Sequence, residues 1–251
     1  MTASALIRRE HADGVVELCL NRAPVNALSA DFLMDLAATV DDLAGDDSTR
    51  AIVLTSDFKV FSAGLDLKEA QGFDLGAQHD IVEGLNEGFL SLYACPKPVI
   101  VAVNGAAIAG GLFFVLASDL RLASPAARFG LAEVRVGADF PVGPLEIARA
   151  TLTADAARNL MLTGLPIDAQ RAHALGIIDE LVEPDALRER ALHRAADLAG
   201  LPPGTFASVK SQLRGDVIDT MRSAMDAGGN APEDGWFTAE TVPAMKRMIG
   251  G

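Results

Sequence analysis

Aromatic residues are scarce in this chain: they make up 5% of 251 positions, with one tryptophan and one tyrosine, while half of all residues are hydrophobic. The core must therefore be aliphatic, with alanine and glycine letting elements pack closely. Cysteine is rarer still. Cys19 and Cys95 stand alone, with neither metal-ligand spacing nor a disulfide framework, which fits a reducing cytosol. Positive charge is also in deficit, with 21 Lys and Arg against 34 Asp and Glu, a net charge of −13. No basic cluster is present to hold nucleic-acid phosphates, so that partner class is excluded. A small polyanionic ligand would need local cations, and the candidates are Arg22, Lys59, Lys68, Lys97, Lys246 and Arg247. The opening MTASALIRRE is too polar for a signal peptide, so the expectation is a soluble, cytoplasmic protein. An uncharged run at 98–118 is long enough for a membrane helix, which needs ~20 residues. Asn104-Gly105 and Gly110-Gly111 interrupt it, and half of it favours strand, so no membrane span is expected.

That uncharged run, PVIVAVNGAAIAGGLFFVLAS, is the most informative stretch present. Val99, Ile100, Val101 and Val103 are β-branched, as a buried strand prefers, and Leu112 onward holds good helix formers. A strand thus passes through Gly110 and Gly111 into a helix. At a helix start the first N–H groups lack intrahelical partners, and glycine lets a ligand oxygen approach them. The pattern occurs again at 61–69, FSAGLDLKE, where Gly64 follows the strand AIVLT at 51–55 and precedes helix-compatible residues. A weaker third cycle covers 120–124, a turn at Phe129-Gly130, and Glu133. A period near 47 residues, from Ile52 to Val99, predicts α/β units wound as a spiral. Helices are expected at 30–44, capped by Ser29, and at 153–162 and 168–175, with a strand at 177–182. From Pro184 the chain reads as helices at 184–198, 203–213, 216–227 and 233–249. Such an appendage cannot bury its apolar faces alone, so it packs on the main domain, on a neighbouring subunit, or on both.

Three segments, FSAGLDL at 61–67, KPVIVAVNGAAIAGG at 97–111 and FGLAEVRVG at 129–137, resemble in order and spacing the motifs of the crotonase, or enoyl-CoA hydratase/isomerase, superfamily. The likeness continues through 162–184 and weakens over the last sixty residues. Within the superfamily, PVNALS at 24–29 and VLTSDFKVFSAGLDLKE at 53–69 are most similar to the mitochondrial Δ3,Δ2-enoyl-CoA isomerases. The resemblance implies a crotonase-type spiral of ββα repeats over residues 1–185 and a C-terminal helical trimerisation region over 186–251, giving a homotrimer or a dimer of trimers. It also implies a coenzyme A thioester as substrate, in fatty acid metabolism such as β-oxidation, with no separate cofactor and no metal. Carried over by motif, the thioester oxygen accepts from the backbone N–H groups of Leu65 and Gly110, with Gly111 the alternative one residue on. Ala63, Gly64, Leu65, Asp66 and Leu67 line the substrate site, together with Gly110, Gly111 and Phe113.

Glu133 matches the family's general base, and its neighbours Phe129, Leu131 and Val134 would raise its pKa by desolvation. Phe113 stands where the family's hydratases carry a second glutamate. Hydration needs two polar groups to manage water, whereas moving a double bond from the 3- to the 2-position needs one base, so Phe113 favours the isomerase. The loop GADFPVGPLE at 137–146 departs from the hydratase pattern. Asp139 or Glu146 could supply a second acid there, which keeps hydratase, lyase and hydrolase reactions open. A non-catalytic acyl-CoA-binding protein is the remaining alternative. A Clp-type serine protease is disfavoured because Ser62, His11, His79 and His173 do not sit in a triad-bearing motif.

Overall fold

The computed structural model describes residues 4–250. Its first part runs β1 (Leu6–Glu10), β2 (Val15–Leu20), β3 (Ala27–Leu28), α1 (Ala30–Gly45), β4 (Ala51–Ser56), β5 (Gly64–Leu65), α2 (Leu67–Ala70), α3 (Leu75–Ala94), β6 (Val99–Val103), β7 (Ala106–Ile108), α4 (Gly110–Ala117), β8 (Leu120–Ala123) and β9 (Arg128–Gly130). Then come α5 (Val142–Thr151), α6 (Ala154–Thr163), β10 (Ile167–Asp168), α7 (Ala169–Ala174), β11 (Glu180–Leu181), α8 (Pro184–Ala199), α9 (Pro203–Ala224) and α10 (Thr241–Gly250). The apolar runs become strands buried along their whole length in β2, β4 and β6, as central strands covered on both faces must be. They lie in one six-stranded sheet of order β1-β2-β4-β6-β8-β11, parallel throughout except for the antiparallel edge pair β1 and β2.

Each long strand is followed by a short strand that leaves the main sheet. β3 pairs with β5, an isolated bridge joins Ser62 to Ala107, and β7 pairs with β9, all parallel. A second row thus climbs beside the first, which is the spiral of ββα units that the family resemblance implies. The period is not constant, because the helices closing successive units differ: α1 has 16 residues, α3 has 20 and α4 has 8. All eight residues of α4 are buried, so this helix forms the inner wall and the others wrap it.

Several boundaries differ from expectation. Edge strand β1 was not anticipated, since LIRRE has little apolar content. Phe129 and Gly130 belong to a strand rather than a turn. The strand expected at 177–182 shortens to two residues, with Ile177 and Ile178 buried ahead of it. Helices expected at 203–213 and 216–227 form one helix, α9, running through Gly215. A Cβ on that half-buried glycine would meet nothing, and one helix glycine costs only about 1 kcal/mol. The helix expected from 233 begins at Thr241, because Gly235 adopts φ +79° and residues 230–240 form an irregular strap.

The C-terminal helices pack on the spiral. Leu187, Ala191, Ala195 and Ala199 of α8 recur at i, i+4 and cover Val15, Val53, Ile100 and Leu122 on the outer face of the sheet. Among the described residues no helix is long and apolar enough to cross a membrane.

Candidate active site

Two chain reversals meet where the second row of strands passes the start of α4. Gly64 has φ +78°, and a side chain there would stand 2.8 Å from the Ile108 carbonyl oxygen and 3.1 Å from the Gly110 nitrogen. Only glycine lets the first turn nest against the second. Asp66 then caps α2, accepting from the N–H groups of Lys68 and Glu69 at 3.0 and 3.2 Å. Its own N–H donates to the Leu28 carbonyl at 3.5 Å, so the preceding Leu65 N–H faces the opposite side of the strand.

The second turn is strained at Ala109, whose φ of 50° and ψ of −129° are sparsely populated by residues with a Cβ, at a cost of order 1–3 kcal/mol. Its N–H is held by the Gly130 carbonyl at 2.7 Å. The bend starts α4 at Gly110, whose N–H has no intrahelical partner. Gly110 and Gly111 serve packing as well as access. A Cβ on Gly110 would lie 2.5 Å from Leu28 Cδ1, and one on Gly111 would run into the Ser62 carbonyl.

Between the turns lies a cavity of about 690 Å³ including its open mouth. Of the residues assigned to the site from sequence, Ala63, Leu65, Leu67, Gly110, Phe113 and Glu133 line it. Gly64, Asp66 and Gly111 do not: the first and third hold the two turns together, and the second is spent on its cap. Sequence reasoning missed the large apolar side chains of Phe140, Trp236, Met245 and Met248, which are also part of the wall. The signal that could have found the tryptophan is its singularity in an otherwise aromatic-poor chain.

Glu133 sits in a 3-10 turn (Glu133–Arg135) after β9, 8% exposed, and its Oε2 has no hydrogen-bond partner. Burial pushes its carboxyl up to about 8, and the bond with its own backbone N–H offsets little of this. Among the described residues lining the cavity it is the sole titratable side chain. Phe113 packs between Phe89 and Phe140, with ring centroids 5.5 and 6.3 Å away. Asp139 is exposed and Glu146 pairs with Arg149 at 2.7 Å; neither lines the cavity. Nor does a candidate cation. Lys97 donates to the carbonyls of Leu43 and Asp46, Arg22 is bonded to the Ala27 carbonyl and to Glu69, and Lys59, Lys68, Lys246 and Arg247 are exposed. The buried Ser62 hydroxyl donates to the Asn26 carbonyl at 2.8 Å, away from any histidine.

A spiral of ββα units with two apposed glycine turns and a buried carboxyl between them defines the crotonase class. The enoyl-CoA hydratase/isomerase family model matches residues 10–230, and the chain belongs to that family. It is 36% identical over 228 residues to a putative enoyl-CoA hydratase of Thermus thermophilus, covering 90% of this chain and 85% of that one. It is 34% identical over 212 residues to a Mycobacterium tuberculosis protein named as a hexahydro-indene-carboxyl-CoA hydrolase, covering 83% of each. The crystal structure of human mitochondrial Δ3-Δ2-enoyl-CoA isomerase superposes with a TM-score of 0.88 at 26% identity, covering 98% of this chain and 97% of that one. The protein is an enzyme of a family acting on acyl-CoA thioesters.

Proposed function

We propose that this enzyme is a Δ3,Δ2-enoyl-CoA isomerase that works with one carboxylate. The observation that carries the reading is that Glu133 is the sole titratable side chain on an otherwise apolar cavity wall, which Phe113 lines with no second acid beside it. Ionised Glu133 removes a proton from C2 of a 3-enoyl thioester. The C2–H electrons form the C1–C2 double bond of a dienolate, and charge moves to the thioester oxygen. The backbone N–H groups of Leu65 and Gly110 donate hydrogen bonds to that oxygen; a fixed donor of this kind lowers a barrier by about 3 kcal/mol. Glu133 then returns the proton at C4, leaving the double bond between C2 and C3. Phe113 and Phe140 keep water from the dienolate.

Hydration is the alternative, and many relatives bear hydratase names. It needs a second polar group beside the attacking water, and Asp139 and Glu146 stand outside the wall. The test is incubation with 3-hexenoyl-CoA and, separately, crotonyl-CoA, with products separated by chromatography and Glu133→Gln run in parallel. The expected result is conversion of the 3-enoyl to the 2-enoyl thioester, lost in the variant, with crotonyl-CoA unchanged. Hydration of crotonyl-CoA by the unaltered enzyme at comparable rate would overturn the isomerase reading. We read residues 186–251 as a trimerisation region as well, supported by Val209 and Leu213, one helical turn apart and 56% and 79% exposed. Sedimentation at a monomer mass would sink that reading.

A further inference from the structure

One wall of the cavity comes from the strap at 230–240, outside the spiral. Trp236 lines the cavity, and its indole Nε1 donates to the Asp139 carbonyl at 3.0 Å, crossing to the loop that carries Phe140. Phe140 packs edge-on against Phe113 of the inner helix α4, and the indole bond to Asp139, the residue before Phe140, ties the strap to that same stretch of wall. An indole held at its polar tip is a rigid apolar wall.

The strap is clamped from α3. Gln78 Oε1 accepts from the N–H groups of both Trp236 and Phe237, at 2.9 Å each. His79 Nε2 meets the Pro232 carbonyl at 2.9 Å, and Asn86 Nδ2 donates to Asn230 Oδ1 at 2.7 Å. Gly235 fits that clamp alone among residue types, since a Cβ there would stand 2.6 Å from Gln78 Oε1 and φ is +79°. Phe237 stacks on Phe73 with planes 9° apart.

We infer that Trp236, held by the Gln78 clamp, sets the upper limit on acyl-chain length. This rests on the acyl-CoA reading of the cavity and goes beyond it by naming the specificity residue. A short acyl chain ends against the indole. A longer one must displace a ring fixed by one hydrogen bond at its edge and one at its own backbone N–H, with the second Gln78 bond holding the next residue, Phe237.

The molecule carries its own probe, because Trp236 is the only tryptophan. Titration of the whole enzyme with hexanoyl-, decanoyl- and hexadecanoyl-CoA, followed by indole fluorescence, should show a response to the acyl thioesters and none to free coenzyme A. Affinity should stop rising beyond the short chain. In Trp236→Ala, followed by calorimetry, the optimum moves to longer chains, with decanoyl-CoA gaining about tenfold over hexanoyl-CoA, as two further buried methylenes supply. Trp236→Phe holds the short-chain profile, which separates loss of the wall from loss of folding. Gln78 acts through the strap as a positioning residue: Gln78→Leu moves the profile as Trp236→Ala does, and Gln78→Glu, which still accepts both bonds, restores it. An unchanged length profile in Trp236→Ala, or an indole blind to acyl-CoA, overturns the inference. A length profile that shifts in an enzyme unable to move a double bond would instead sink the isomerase reading and leave this inference standing.

Discussion

Glu133 is placed where ionisation is costly and where the proposed isomerisation needs a base. The cavity wall around it is apolar, which raises its carboxyl to about 8, and a base is active only once deprotonated. The rate at low substrate should therefore climb with pH along a single limb and level off above about 8. A limb centred near the ordinary carboxylate value would show that the base is not a carboxyl raised by burial. Glu133→Gln should lower kcat/KM by about two to four orders of magnitude, the usual worth of a general base. Gly110→Ala tests the other half of the site. Its new Cβ falls 2.5 Å from Leu28 Cδ1, so the turn must move and its N–H with it. A kcat loss of about a hundredfold or more is expected at nearly unchanged KM, as for an interaction made mainly in the transition state. A rise in KM at constant kcat would remove Gly110 from that role.

At the scale of elements, α9 is tied to the core through one carboxylate. Lys210 and Arg214, one turn apart, reach the two oxygens of Asp119 at 2.6 and 2.9 Å. Arg214 also holds the carbonyls of Tyr93, Ala117 and Ser118, and its guanidinium lies 4.2 Å over the Tyr93 ring. Asp119→Asn leaves two buried cations short of a counter-charge, and about 3 kcal/mol of stability should go. Urea unfolding measures it, and a loss below about 0.5 kcal/mol would mean that the carbonyls and the ring suffice. Legibility from sequence follows the same division. Elements whose boundaries are set locally were readable: Ser29 caps α1 as expected, and α6, expected over 153–162, runs from a Thr153 cap to Gly164 in the left-handed region. The two glycine turns were readable because they are carried by short contiguous motifs, whereas Glu133 was singled out by the family resemblance. The strap was not, since Gln78 and Trp236 are far apart in sequence and their bond is a product of tertiary packing. β1 was hidden for a related reason, its strand character coming from pairing with β2 rather than from its own residues.

Over the whole molecule, two buried glutamates pull stability in opposite directions with pH. Glu17 lies under α8, fully buried; desolvation raises its pKa, but bonds from Thr55, Arg188 and His11 outweigh it, so the net displacement is downward from 4.5. A carboxyl lowered on folding contributes stability that is present above 4.5 and lost as pH falls through its folded value. Glu133 is displaced upward, from 4.5 to about 8. Its folded state retains a proton that the unfolded chain has released, so stability falls as pH rises from 4.5 towards about 8 and is flat beyond. Melting curves across this range should accordingly show an acid limb and a separate decline on the neutral side. Glu133→Gln should abolish the decline and gain stability at pH 8 on the order of a few kcal/mol, while Glu17→Gln should destabilise throughout the neutral range and weaken the acid limb. The proton whose loss would make Glu133 the proposed base is the one whose loss costs stability, so kcat/KM and unfolding free energy should change in opposite senses over one pH window and level off together. If the neutral decline persists in Glu133→Gln, another group titrates there and the carboxyl between the glycine turns is not raised by its surroundings.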